Sequence, residues 1–126
     1  ERAAGPGFLQ LSGDDATAAA FTALGGQGCV SVVANLVPGP CAALQRAARA
    51  GDHARARAIQ AGLAPLIAAL SRETDPGPVK LALALLRPGL APDLRLPLVR
   101  PRPETEAAIA AALAALDASV PAGAAA

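Results

Sequence analysis

Apolar residues along the chain fall first into short extended runs and then into groups with helical spacing. The first run, residues 8–12, follows Gly-Pro-Gly at residues 5–7 and is typical of a buried strand. A second, β-branched run covers residues 29–33 and is bounded by a glycine and an asparagine. A segment with strong helix propensity, residues 16–24, separates the two runs. The pattern therefore predicts two neighbouring parallel strands joined by a crossover helix, that is, an α/β fold.

From Pro38 onward, the spacing of the apolar residues is that of helices. One helix is predicted over residues 40–50 and is ended by Gly51, after which Asp52 can cap the next helix, which runs to about residue 70. Pro65 is expected to bend that helix. Its apolar residues recur every three or four positions and so form one face: Ile59, Leu63, Leu66, Ile67 and Leu70.

Proline-rich segments divide the remainder of the chain. Asp-Pro-Gly-Pro at residues 75–78 breaks the helical pattern, and a further helix is expected over residues 78–86. Residues 94–98 are expected to be extended, because a proline disfavours helical backbone at the residue before it. A last helix is predicted over residues 104–118. Its apolar face carries Ile109, Leu113 and Leu116. Residues 120–126 are expected to form a disordered tail.

Composition limits the core and the range of partners. The chain has 126 residues, of which 53% are hydrophobic, but it has no Trp, Tyr or Met, so the core must be built mainly from Leu, Val, Ile and Ala. A net charge of +1, with no aromatic residues interleaved among the arginines, argues against a nucleic-acid partner. We find no secretory signal pattern and no apolar run near the ~18–20 residues of a membrane span. We therefore expect a cytoplasmic protein with no membrane association.

Cysteine and histidine are too few for a disulfide framework or a zinc site. Cys29 and Cys41 are the two cysteines, and His53 is the single histidine. Zinc sites usually need about four nitrogen or sulfur ligands, and disulfide scaffolds need more cysteines in a short chain. We therefore expect both cysteines to be structural, His53 to be a solvated helix residue, and no metal to be bound.

Four segments of the chain carry a shared pattern: Leu-Ser-Gly-Asp-Asp at 11–15, Gly-Gly-Gln-Gly-Cys-Val-Ser-Val-Val-Ala-Asn at 25–35, Glu-Thr-Asp-Pro-Gly-Pro-Val-Lys at 73–80 and Leu-Arg-Leu-Pro-Leu at 94–98. Taken in order, they resemble the dihydrodipicolinate synthase family of pyruvate-dependent class I aldolase-type enzymes, and the resemblance covers about residues 8–116. It implies the C-terminal quarter of a (β/α)8 TIM barrel, with the two strands as its seventh and eighth, followed by a C-terminal helical extension. On this basis residues 1–50 form the last two β/α units and residues 51–119 form the extension.

The same resemblance implies which residues of this chain meet substrate. Val30 stands at an eighth-strand position, usually isoleucine in the family, whose backbone helps to hold pyruvate. Gly13 and Asp14 follow the seventh strand and so lie at the barrel mouth, where the active sites of such barrels are found. Asp14 and Asp15 can also cap the following helix and complement its dipole. Capping and substrate contact both stay open at this point.

The catalytic groups of the family are expected upstream of this chain. They are a Schiff-base lysine on the sixth strand, a tyrosine that relays protons with a threonine, and an arginine for the second substrate. The chain contains no tyrosine, and its only lysine, Lys80, matches a structural lysine of the extension. We therefore expect no catalytic residue and no cofactor within this chain, and no activity from the chain alone.

The activity implied by the resemblance is the condensation of pyruvate with aspartate semialdehyde in lysine and diaminopimelate biosynthesis, carried out in the full-length family by a homotetramer. Another pyruvate-dependent aldolase or lyase of the same family is one alternative, although Asp14 and Asp15 differ from the Asp-Glu pair of sialic acid lyases. A helical interaction domain, or an inactive remnant, is the other.

Overall fold

The computed structural model describes residues 4–119. The predicted tail at residues 120–126 lies outside the described residues. The element order begins with two short strands that flank a helix and continues with helices alone. The elements are β1 (Leu11–Ser12), α1 (Ala18–Ala23), β2 (Gly28–Cys29), a 3₁₀ helix (Val33–Asn35), α2 (Pro38–Arg49), α3 (His53–Leu70), α4 (Gly77–Leu86) and α5 (Pro103–Ser119).

The two strands pair in parallel, as the sequence predicts, with Leu11 opposite Gly28 and Ser12 opposite Cys29. The N–H of Val30 also donates to the carbonyl of Ser12 at 2.8 Å, which extends the pairing by one residue. The predicted extents, residues 8–12 and 29–33, are wrong. Only Leu11 and Ser12 of the first run and Cys29 of the second are strand, because no further strand lies beside them among the described residues and because the chain enters a 3₁₀ helix at Val33.

The helices lie close to their predicted positions. The helix α2 begins at Pro38, two residues before the prediction, and α5 begins at Pro103, where a proline is tolerated because its N–H would have no partner in any case. The Asp52 carboxylate accepts the N–H of Arg55 at 3.0 Å, so the predicted cap of α3 is confirmed. The helix α3 runs as one element through Pro65.

The core lies among the helices, on one side of the strand pair. The predicted face of α3 is confirmed, since Ile59, Leu63 and Leu66 are almost completely buried. The helix α3 packs against both α2 and α5, and Ile109 of α5 is fully buried at that contact. Burial of this apolar surface is the main favourable contribution to folding. None of the helices within residues 4–119 is long and apolar enough to cross a membrane.

One face of the strand pair is not covered by the described residues. Ser12 is buried, whereas Leu11 is 53% exposed and Val30 is 67% exposed. Phe8 and Leu9, which precede the strand, are also exposed. Because successive residues of a strand point to opposite faces, the chain's own helices cover only one face of the pair. Large apolar side chains therefore stand on the other face.

Candidate functional site

The candidate site lies where the two parallel strands end. Because their carboxyl ends share one edge, the loop that follows β1 lies beside the loop that follows β2. Gly13 and Asp14 line a cavity of about 90 Å³ at this edge, here called the mouth cavity, and the edge itself is called the mouth. Val30 directly follows β2, its side chain is exposed, and it is not among the residues that line this cavity. The cavity is completed by Asp15, Val32, Val33, Ile67, Leu70, Ser71 and Asp75.

Packing among the described residues does not explain why residue 13 is a glycine. A Cβ atom added at Gly13 would meet no other atom within 4 Å, and the backbone has no positive φ there. The residue is exposed. The described residues therefore do not require glycine at this position. A group that approaches the Gly13 backbone closely would have to come from outside them.

The Asp14 carboxylate orders the turn between β1 and α1. It accepts the N–H of Ala16 at 3.1 Å and the hydroxyl of Thr17 at 2.7 Å. The Thr17 hydroxyl, followed by the Ala16 N–H, holds the pKa of Asp14 below its usual value, so this carboxylate is ionised at neutral pH. The capping residue of α1 is Thr17, and its side chain makes no cap hydrogen bond. The expectation that Asp14 or Asp15 directly caps α1 is therefore wrong, because α1 starts two residues later than predicted.

Asp15 makes a contact that sequence analysis missed. Its Oδ2 atom accepts the backbone N–H of Val32 at 2.8 Å and that of Val33 at 3.0 Å. These donors open the 3₁₀ helix, so Asp15 caps a helix that lies after β2. The sequence carries the signal of a capping residue type. It does not show which helix is capped, because the partners are 17 and 18 positions away.

Asp75 is a third carboxylate at this edge of the strand pair, and sequence analysis did not single it out. It lies in the connection between α3 and α4 and lines the same cavity as Asp14 and Asp15. Partial burial raises the pKa of Asp75, and the negative charge of Asp15 raises it further. The mouth therefore carries three acidic side chains. Within residues 4–119, no three His, Cys, Asp or Glu residues are grouped so that they could hold a metal ion.

A larger cavity, of about 210 Å³, lies between the strand pair and the helices. Cys29, Ser31 and Cys41 contribute its polar lining together with Asp15 and Gln45. Burial raises the pKa of Cys41 to about 11, and burial followed by the charge of Asp15 raises the pKa of Cys29. Both free thiols are thus neutral at physiological pH, which disfavours a nucleophilic role.

Lys80 lies away from the mouth. Its ammonium group donates to the backbone carbonyl of Asp93 at 2.8 Å and so holds the segment between α4 and α5 against α4. His53 is exposed at the first residue of α3, and its backbone N–H donates to the carbonyl of Gly51. Neither side chain is among the residues that line the mouth cavity.

Comparison with known proteins gives relatives along almost the whole chain. A curated 4-hydroxy-tetrahydrodipicolinate synthase of Rhodospirillum centenum is 52% identical over 109 residues, which are 86% of this chain and 37% of that protein. A synthase of the same name from Rhizorhabdus wittichii is 50% identical over 110 residues, 87% of this chain and 38% of that protein. The chain thus spans less than two fifths of the length of these relatives.

Solved structures show the same similarity in three dimensions. The 4-hydroxy-tetrahydrodipicolinate synthase of Methylacidiphilum fumariolicum SolV superposes with a TM-score of 0.86 at 40% identity and covers 94% of this chain and 39% of its own. The chloride-inhibited dihydrodipicolinate synthase of Acinetobacter baumannii, in complex with pyruvate, superposes with a TM-score of 0.80 at 33% identity, over 87% of this chain and 38% of its own. The Dihydrodipicolinate synthetase family profile matches residues 1–116. The chain therefore belongs to the dihydrodipicolinate synthetase family.

Proposed function

We propose that this chain forms the last two β/α units and the helical extension of a 4-hydroxy-tetrahydrodipicolinate synthase. The enzyme condenses pyruvate with aspartate semialdehyde in lysine and diaminopimelate biosynthesis. The observation that carries the proposal is the 52% identity to a synthase of that name over 86% of the chain. The parallel order of β1 and β2 agrees with the place of the last two strands in such a barrel.

The open face of the strand pair supports this assignment. Leu11 and Val30 are more than half exposed although they are large and apolar. In a closed eight-stranded barrel, side chains on that face fill the interior, and the other six strands cover them. The proposal thus explains an apolar surface that would otherwise favour association with other chains.

The proposed substrate contacts of this chain come from Val30, Gly13 and Asp14. The N–H of Val30 already donates to Ser12, so its backbone contribution to pyruvate must come from its carbonyl group. Gly13 leaves room for close approach of a ligand to the backbone. Asp14 is ionised and exposed at the mouth, where it can accept a hydrogen bond from a substrate hydroxyl or amine.

The proposal divides the enzyme into this chain, which contacts substrate, and residues outside it, which carry out the chemistry. A lysine there forms the Schiff base with pyruvate, and a tyrosine and threonine relay protons. Two observations support this division: the chain has no tyrosine, and its only lysine is engaged with Asp93. No cofactor is required, because the imine to the lysine itself activates pyruvate. For the complete enzyme we propose a homotetramer in the cytoplasm.

A chimeric enzyme tests the proposal. The matching C-terminal part of the Rhodospirillum centenum synthase is replaced by this whole chain, and condensation of pyruvate with aspartate semialdehyde is assayed. We expect activity, together with a borohydride-trapped pyruvate adduct on a lysine of the relative's part. A Lys80→Arg chimera is the matched control, and it should retain both the activity and the adduct.

The same chimera separates the alternatives. A folded chimera that cleaves sugar acids but does not use aspartate semialdehyde would assign the chain to another pyruvate-dependent aldolase or lyase. A folded chimera that forms no imine would support an inactive remnant or an interaction domain. An adduct on Lys80 would overturn the proposal that the Schiff-base lysine lies outside this chain.

A further inference from the structure

The 3₁₀ helix after β2 is held at its start by side chains from two places in the chain. The Asp15 carboxylate accepts two consecutive N–H groups, those of Val32 and Val33, at 2.8 and 3.0 Å. The Ser31 hydroxyl accepts the next one, that of Ala34, at 2.8 Å. Ser31 belongs to the segment after β2 itself, whereas Asp15 follows β1, so the contact of Asp15 joins the β1 loop to the β2 loop.

Asp15 is itself held from the helical side of the molecule. Its backbone carbonyl accepts the side-chain N–H of Gln60, on α3, at 3.0 Å. Its side chain lines both the mouth cavity and the larger cavity behind the strands. Asp15 therefore connects α3, the β1 loop and the segment that follows β2. A displacement of its carboxylate would release the segment that follows β2.

The segment held by Asp15 includes the proposed pyruvate contact. Val30 is fixed on one side by the hydrogen bond from its N–H to Ser12. On the other side, only Ser31 separates it from the N–H groups that Asp15 holds. The position of the Val30 carbonyl is thus set by the strand pair before it and by Asp15 after it.

We propose that Asp15 is a positioning residue, which holds residues 30–33 so that the Val30 carbonyl meets pyruvate. This inference rests on the proposed function. Asp15 acts through the backbone of Val32 and Val33 and needs no contact with substrate. Its role differs from that of Asp14, whose carboxylate contacts only its own turn in the described residues.

Asp52 provides a matched control. It is also an aspartate that accepts a backbone N–H at the start of a helix, at 3.0 Å from Arg55, but it caps α3 and does not line the mouth cavity. A purely structural role for Asp15 predicts the same behaviour for both residues. That behaviour is lower stability and fewer active molecules, with an unchanged KM for pyruvate.

The test uses the chimera with Asp15→Ala, Asp15→Asn and Asp52→Ala. For Asp15→Ala we expect KM for pyruvate to rise about 10-fold to 100-fold with little change in kcat, as for a contact misplaced by about 1 Å. Asp15→Asn retains an acceptor oxygen and should recover part of this loss. Asp52→Ala should leave KM unchanged.

Amide hydrogen exchange on the 126-residue chain gives a readout that does not depend on activity. Asp15→Ala should accelerate exchange at Val32 and Val33 and leave the amide of Arg55 protected, whereas Asp52→Ala should do the reverse. Faster exchange with an unchanged KM would overturn the positioning role and leave the proposed function intact. Unchanged exchange would show that Asp15 does not hold the segment. An inactive parent chimera would overturn the proposed function and this inference with it.

Discussion

Glu73 shows how a single charge joins two helices of the extension. Its Oε1 atom accepts the backbone N–H of Arg102 at 3.0 Å, and the Arg102 guanidinium lies 3.7 Å away. The hydroxyl of Thr105, a buried residue in the first turn of α5, also bonds to this carboxylate. The Thr105 hydroxyl, followed by the Arg102 N–H, lowers the pKa of Glu73. The ionised Glu73 carboxylate therefore ties the start of α5 to the end of α3.

Stability should therefore depend on pH through Glu73. Because the pKa of this group is lower in the folded chain than in the unfolded chain, its ionised form favours folding above about pH 4.5, and this contribution is lost as the pH falls through the folded pKa. We expect Glu73→Gln to lower the free energy of unfolding at pH 7 and to flatten its decrease toward pH 3. Urea unfolding followed by circular dichroism measures both.

Asp93→Asn is the control for this experiment. The exposed Asp93 makes its contact to Lys80 through the backbone carbonyl, which the substitution leaves in place. This variant should keep the acid dependence of the unmodified chain. Equal acid dependence in the Glu73→Gln variant and the unmodified chain would contradict the prediction.

At the scale of elements, α3 shows how local rules suffice to define a helix. Its cap at Asp52 and its apolar face were predicted from the sequence and are observed, and Gly51, predicted to end the preceding helix, has a φ of 76°. Pro65 is the exception to these rules. It cannot donate a backbone hydrogen bond within the helix, yet α3 continues through it to Leu70. Burial of residues on both sides of Pro65, Leu63 and Leu66 among them, outweighs this loss.

Replacing Pro65 should therefore stabilise the chain. Pro65 is exposed, so Pro65→Ala removes little packing and restores one helical hydrogen bond. We expect the free energy of unfolding to rise by up to about 3 kcal/mol, measured by urea unfolding. Pro103→Ala is the matched control, because proline is tolerated at the first position of α5, and its effect should stay within about 0.5 kcal/mol. Equal effects of the two substitutions would show that Pro65 does not weaken α3.

The strands follow a different rule from the helices. Each was predicted as a run of five residues, and each has two residues in the ladder. A helix satisfies its hydrogen bonds within its own segment, whereas a strand bonds to other strands, so its length depends on partners that are distant in sequence. The apolar run at residues 8–12 thus predicted the place of β1 but could not define its length.

At the scale of the whole molecule, the core and the open face lie on opposite sides of the strand pair. The buried side chains belong mainly to the helices, whereas Leu11 and Val30 stand exposed on the other face. Exposed apolar patches beside unpaired strand edges favour association. The fold of this chain is therefore stabilised from one side, and its other side is suited to contact with further strands.

This asymmetry predicts self-association of the isolated chain. We expect concentration-dependent association in size-exclusion chromatography with light scattering, and a shift toward the monomer in a Leu11→Lys, Val30→Lys double variant. Leu96→Lys is the control: Leu96 is 86% exposed but lies in the segment between α4 and α5. It should leave the association unchanged. Loss of association in the Leu96→Lys variant alone would place the contact outside the open face.

Local patterns along the chain were sufficient for the order of the two strands and five α-helices, the cap and face of α3, the parallel pair, and the placement of Gly13 and Asp14 at a strand end. Each of these features depends on residues close in sequence or on a periodicity that one segment carries within itself. The resemblance to a barrel family followed from segments that can be compared by order and spacing alone.

The contacts of Asp15 with Val32 and Val33, the presence of Asp75 at the mouth, and the true lengths of the strands depended on the folded chain. They join residues far apart in sequence, and the type of a residue does not specify which distant partner it meets. An aspartate can cap any helix whose start comes within reach, and packing of α1, α2 and α3 around the strand pair selects the one beyond β2. The site is thus assembled by tertiary packing from residue types that the sequence already makes suitable.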